Sequence, residues 1–179
     1  MERLHSRTER IIHPEFRRVL GERGLRLNKG QFWHWGPNKT VDVVLFAEES
    51  NDVVQLIRRQ DNGLLALPGG FVDYTDNGWE APIAVALRET MEEINLALEP
   101  EQLTQFYDGP VRDHRETLLA WPHTTAFVGR IALASHTVAG DDACKGSAGW
   151  HDVANLNPQL LHGSHHQLII AGRQALSEC

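Results

Sequence analysis

The chain predicts an α/β fold, a three-layer α/β/α sandwich on a mixed β-sheet, from three observations. Short apolar and β-branched runs recur along it, as strands do. Two longer stretches, residues 82–94 and 164–176, carry apolar positions at helical spacing. The 179 residues suit one domain with a small extension. Strands interrupted by helices at two points bury both faces of a sheet.

The elements follow in order. Residues 1–40 are rich in Arg and aromatic residues and are punctuated by Gly21, Gly24, Gly30 and Gly36-Pro37. They predict an N-terminal arm or small cap, with the main domain over 41–179. Residues 41–47 alternate weakly and read as a strand, and so do 53–59 and 64–67. Pro68-Gly69-Gly70 then forms a sharp turn in which the backbone can approach a ligand. Pro82 suits the first turn of the helix that follows. Ala81 is therefore its N-cap, a residue that forgoes about 1 kcal/mol relative to Ser or Thr. Asn95 tolerates the left-handed conformation that ends a helix. Residues 103–108, 117–121, 124–133 and 149–153 are further strand candidates. The closing helix has Leu168, Ile169, Ala171, Gly172 and Ala175 as packing positions and Ser164 as cap.

Seventeen basic residues against 24 acidic give a net charge of −7, which argues against general nucleic-acid binding. The longest apolar runs fall far short of the roughly 20 residues a membrane span needs. The first residues, MERLHSRTERIIHPEF, are charged and lack a signal peptide's apolar core. Cys144 and Cys179 offer no disulfide framework, so a reducing cytoplasm is the expected compartment. An acidic protein that handles phosphates must recruit metal cations and a few local Arg or Lys side chains.

The chemistry concentrates in the helix over 82–94. It contains Arg-Glu-x-x-Glu-Glu at Arg88, Glu89, Glu92 and Glu93. At roughly 100° per residue the three glutamates share one face, and Ala84, Leu87, Met91 and Ile94 fall opposite to pack on the core. Adjacent like charges are best tolerated around a cation. Hard oxygen ligands suit Mg²⁺ or Mn²⁺, and Mg²⁺ usually shares its shell with substrate phosphates. Glu80 lies eight residues before Arg88, so an ion pair can close the loop onto the helix. Taken alone, Glu-x-x-Glu-Glu also describes an ordinary solvated acidic face. Strand, Gly-Gly turn, Glu80 and Arg-Glu-x-x-Glu-Glu together are far more specific.

This segment resembles the Nudix box, Gly-x5-Glu-x7-Arg-Glu-(apolar)-x-Glu-Glu-x-Gly-(apolar). The half from Glu80 through Glu93 matches in spacing. Three positions depart from it: residues 74–77 form a four-residue insertion after Gly70, Thr90 occupies the apolar position, and Asn95 replaces the Gly. The resemblance extends beyond the box. Trp35-Gly36-Pro37-Asn38, Pro68-Gly69-Gly70-Phe71-Val72-Asp73, Asp113-His114-Arg115-x-Thr117, Ala139-Gly140-Asp141-Asp142-Ala143 and Ser164-His165-His166-Gln167 are similar to segments of the mitochondrial-type ADP-ribose pyrophosphatases.

The resemblance implies a Nudix-type sandwich and metal-dependent hydrolysis of ADP-ribose to AMP and ribose 5-phosphate. It implies metal ligands at Glu89, Glu92, Glu93 and the Gly70 carbonyl, with Arg88 orienting Glu80 and Glu89 rather than touching substrate. The base is open among Glu92, Glu93, Asp141 and Asp142. Trp35, Asn38, Arg115, Asp141 and Asp142 are the candidate substrate contacts. All of these but Asn38, and several neighbours, have an ordinary alternative: core packing for Trp33, Trp35, Trp121 and Trp150, a solvated loop for Arg112 and Arg115, a turn for Asp141-Asp142, and a helix start for His165 and His166. Two other functions stay open: hydrolysis of other nucleoside diphosphate derivatives or of triphosphates, and a module that senses ADP-ribose without cleaving it. The complete Arg-Glu-x-x-Glu-Glu favours turnover.

Overall fold

The computed structural model describes residues 11–76, 78–133 and 148–178. The elements are α1 (Phe16–Arg23), β1 (Gly36–Ala47), β2 (Ser50–Arg58), β3 (Leu65–Ala66), β4 (Gly69–Phe71), β5 (Tyr74–Thr75), β6 (Gly78–Trp79), α2 (Pro82–Ile94), β7 (Leu103–Pro110), β8 (Ala120–Ile131), β9 (Gly149–Asp152) and α3 (His165–Ser177). Seven strands form one mixed sheet in the order β3-β2-β1-β8-β7, with β4 beside β1 and β9 beside β2. β1 is the central beam. It pairs in parallel with β8 from Gly36 opposite Ala120 to Ala47 opposite Ile131. Its other edge is shared: β4 occupies the part at Thr40, Val41 and Asp42, and β2 the part near Phe46.

Helices cover both faces of this sheet, as expected. Successive β1 side chains point to opposite faces. Val41, Val43 and Leu45 join Val85, Ala86 and Ile94 in the core under α2. Val44 and Phe46 join Leu168 and Ile169 in the core under α3. A strand covered on both faces loses its polar positions, which is why residues 41–47 alternate only weakly.

Several element boundaries differ from expectation. β1 starts at Gly36, because Gly36 adopts a positive φ of 79° that turns the arm into the sheet. The strands expected over 117–121 and 124–133 are a single strand, β8. Pro122 lies inside it opposite Asn38, and its carbonyl accepts the Val111 N–H. Thr117 instead forms the turn before β8, where its Oγ1 accepts the N–H groups of Leu119 and Ala120. The insertion after the Gly-Gly turn folds as a two-stranded hairpin of β5 and β6.

Helix α2 has the expected ends. Ala81 is its N-cap with no side-chain hydrogen bond, and Asn95 closes it in the left-handed region at φ 54°. Its faces need correction. The buried positions are Val85, Ala86, Glu89, Thr90, Glu93 and Ile94, with Ile83 and Leu87 partly buried. Ala84 and Met91 face solvent. The glutamates straddle the boundary: Glu89 and Glu93 turn inward with only 8% of each exposed, and Glu92 turns out. A step of four residues keeps Glu93 near the direction of Glu89, whereas Glu92 and Glu93 lie about 100° apart. The acidic face is therefore half of the packing face.

Candidate active site

The Gly-Gly turn and α2 meet because β4 pairs with β1 while α2 packs beneath both. Val41 lies opposite Gly70 and Asp42 opposite Gly69. Glu93 Oε2 accepts the Gly69 N–H at 2.9 Å. Gly70 is pressed against Glu89: a Cβ built there would lie 2.3 Å from Glu89 Oε1. Glycine is thus required for the backbone to lie against that carboxylate.

Arg88 braces this corner. Its Nη1 donates to Glu89 Oε1 at 2.7 Å and to Glu92 Oε2 at 3.1 Å. Its Nη2 donates to Glu80 Oε2 at 3.0 Å, and the same oxygen accepts the Asp73 N–H at 3.2 Å. The hydrogen bond from Arg88 holds the Glu80 carboxyl below its ordinary range. Partial burial disfavours the Arg88 charge, but Glu80 and Glu89 outweigh it and raise the guanidinium above its usual value. Arg88 thus bonds three carboxylates at once, those of Glu80, Glu89 and Glu92.

Glu89 and Glu93 line a cavity of about 410 Å³ together with Arg59, Gly69, Gly70 and Arg115. Through Arg59, Gly69, Gly70, Phe71 and Arg115 it adjoins a narrower cleft that reaches Asp42, Asp113, His162 and His165. Two arginines and three carboxylates, Asp61 among them, thus line one opening, and Arg59 donates to Asp61 from Nε at 2.9 Å and from Nη2 at 3.0 Å. Asp113 grips Arg115 through the Nε at 2.9 Å and Nη2 at 2.6 Å. The guanidinium lies over Phe32 and Phe71 at 5.4 and 6.0 Å from the ring centroids. Burial would raise the Asp113 carboxyl, but the hydrogen bonds from Arg115 and His162 prevail and hold it well below the usual range.

The predicted contacts separate. Arg115 is in the cleft. Trp35 is not: it is half exposed in a distant apolar groove with Ile11, Phe16 and Leu27. Asn38 is buried, and its amide is spent on the backbone, accepting from His34 N–H and donating to the carbonyls of His34 and Gly36. It shapes the turn into β1. Glu92 is exposed outside the cavity, drawn to Arg88. Asp141 and Asp142 lie outside the described residues. Ser164 is the N-cap of α3 by position, yet its Oγ accepts the Arg112 N–H instead of capping the helix.

Sequence reasoning missed Asp42, Arg59 and His162, and gave His165 only a place at a helix start. Asp42 carried a signal, a lone carboxylate within an apolar strand. It is buried and accepts a hydrogen bond from Thr124 Oγ1 at 2.7 Å. His165 is more than a helix start. Its Nδ1 accepts the Leu67 N–H at 2.8 Å, which leaves the proton of the neutral ring on Nε2, 3.4 Å from Asp42 Oδ1. The ring pins the strand entering the Gly-Gly turn.

Burial pushes His165 down to about 4, against the attraction of Asp42 and Asp113 and with the repulsion of His162 and Arg59. The unfolded chain therefore takes up this proton first. Its contribution to stability is complete above about pH 6.5 and is lost as the pH falls towards 4. Between pH 7.5 and 5 the loss should be on the order of 2 kcal/mol. Urea unfolding at the two pH values should show this slope in the native chain and a smaller one in His165→Gln. Equal slopes would contradict a neutral buried imidazole.

The donor set fits a hard divalent cation. Glu89 and Glu93 offer carboxylate oxygens, and the bare backbone of Gly70 lies directly against Glu89. Among the described residues no three His, Cys, Asp or Glu side chains form a ready cage. Backbone, solvent and ligand oxygens must therefore complete any coordination shell, as is usual for Mg²⁺.

A model of the NUDIX domain matches residues 36–171, and the chain belongs to that family. The mitochondrial ADP-ribose pyrophosphatase of Rattus norvegicus is 30% identical, over 86% of this chain and 52% of that protein. The ADP-ribose pyrophosphatase of Methanocaldococcus jannaschii is 32% identical, over 74% of this chain and 71% of that protein. The solved NUDIX domain of Shewanella oneidensis NrtR, complexed with ADP ribose, has a TM-score of 0.63 at 25% identity, over 79% of this chain and 89% of its own. The chain spans between 52% and 71% of the length of the curated relatives it matches.

Proposed function

We propose that the chain hydrolyses the pyrophosphate of ADP-ribose to AMP and ribose 5-phosphate with the help of Mg²⁺ or Mn²⁺. The observation that carries this reading is the opening that Glu89 and Glu93 line together with Arg59 and Arg115 beside the glycine turn. Two relatives named as ADP-ribose pyrophosphatases and an ADP-ribose-bound NUDIX neighbour support the substrate.

Glu89, Glu93 and the Gly70 carbonyl would hold the cation, with Glu92 joining on release from Arg88. When bound, the cation supplies a Lewis acid for the phosphoryl oxygens and a more acidic water. Arg59 and Arg115 would hold the charged phosphates in the ground state and the transition state alike. Arg88 holds Glu89 in place, and Glu80 holds Arg88.

The test is kcat/KM for ADP-ribose, ATP and NAD⁺ under one metal condition, with products separated and with an EDTA control. ADP-ribose should lead by about tenfold or more, which corresponds to about 1.4 kcal/mol of differential transition-state binding. Comparable values would leave a hydrolase of broad range, and a preference for ATP would overturn the substrate. Tight binding without turnover would make it a sensor. Full activity in excess EDTA would remove the cation from the scheme.

A further inference from the structure

Helix α1 lies outside the cleft, yet it is tied to the segment that carries Arg115. Arg18 donates from Nη1 to Glu116 Oε1 at 2.8 Å and from Nη2 to Oε2 at 3.0 Å. Glu116 is fully buried. His13 Nε2 and Arg23 Nε each stand 3.5 Å from the same carboxylate. Burial favours the neutral acid, but His13 and Arg18 outweigh it and hold Glu116 at about 2. Neighbouring ties run the same way. The Thr117 hydroxyl donates to the Asn28 carbonyl at 2.6 Å, Leu118 N–H to Arg26, and His13 N–H to Leu118. A Cβ at Gly30 would sit 3.1 Å from the Arg115 carbonyl.

Two adjacent residues thus face opposite ways. Arg115 lines the cleft, and Glu116 is gripped by the arm. Arg88 and Gly69 hold Glu89 and Glu93 from the other wall. Net stability is a poor explanation for a buried Arg–Glu pair, since apolar replacements of both partners are often as stable; fixing one conformation is the better-attested use.

We propose that Arg18 is a positioning residue for the substrate side of the cleft: through Glu116 it fixes residues 113–117 and so the direction of the Arg115 guanidinium. The kinetic part rests on the proposed ADP-ribose hydrolysis. Arg18→Met alone strands a buried carboxylate and can unfold the chain. The informative variant is Arg18→Met/Glu116→Met in the full chain, which removes both charges together.

This double variant should fold, raise KM for ADP-ribose about tenfold and keep kcat within about twofold. Its Mg²⁺ activation curve should not move. Amide hydrogen exchange at Arg115 to Leu118 should speed up in the absence of substrate. Arg18→Lys keeps the charge without the two-pronged grip and should fall between. Native KM together with native exchange would overturn the proposal, and so would a fall in kcat with weakened Mg²⁺ activation, which would put the effect on the carboxylate wall. If the native chain does not cleave ADP-ribose, the functional reading fails, and the exchange measurement still decides the role of Arg18.

Discussion

Glu93→Gln is expected to reduce kcat by about a thousandfold or more, with the fold intact. The side chain is nearly isosteric, and its amide oxygen can still accept the Gly69 N–H that Glu93 Oε2 accepts at 2.9 Å. The turn therefore keeps its anchor. The loss is one negative charge among the hard oxygens that would hold a cation. Far-UV circular dichroism and the urea midpoint should match the native chain while single-turnover rates collapse. Near-native kcat at saturating Mg²⁺ would show that Glu89 and Glu93 do not form the reactive centre. The corresponding packing control is Val85, which is fully buried under the sheet, rather than Leu87, which is only partly buried.

The adjacent glycines should separate stability from activity in the same way. At Gly70 an added methyl meets the end of a flexible side chain, with Glu89 Oε1 at 2.3 Å. Glu89 can swing aside, so Gly70→Ala should fold with little loss and lose most of its activity. At Gly69 the methyl meets backbone, 2.2 Å from the Val41 carbonyl oxygen and 3.0 Å from the Asp42 Cα. Main chain in a central strand cannot yield. Gly69→Ala should cost several kcal/mol, as overpacking of a rigid site does, at about the upper end of 1–3 kcal/mol or beyond. Thermal melts and activity per folded molecule decide between them. An active Gly70→Ala would mean that the position of Glu89 against the turn is immaterial.

Much of this was legible from residue order, and the reasons differ by element. The α2 helix, its two ends and the Glu80–Arg88 pair are local in sequence, so spacing and capping chemistry predict them well. The burial of Glu89 and Glu93 was not legible, because a helical wheel gives directions but not which neighbour covers them. Here β4 covers them, and its position depends on pairing with β1. Residues 117–121 and 124–133 read as two strands, whereas β8 runs through Pro122, whose missing N–H is tolerated near the strand start. Trp35 and Asn38 sit in a segment similar to one in known enzymes, but similarity of a segment does not say which way its side chains turn. Asp42 and His165 are distant in sequence, and only the sheet brings them face to face.

The parallel pairing of β1 with β8 makes the site a late product of synthesis and folding. Parallel neighbours need a long crossover, and here that crossover contains β4, α2 and Arg115, which means every residue assigned to the reaction. A chain still missing β8 leaves one whole edge of its central strand unpaired, from Gly36 to Ala47. The entropy of closing so long a loop must be met before those contacts form, which slows folding. The cleft is therefore complete only once Pro122, His162 and His165 are in place, and a partly made chain carries the whole Arg-Glu-x-x-Glu-Glu helix without it.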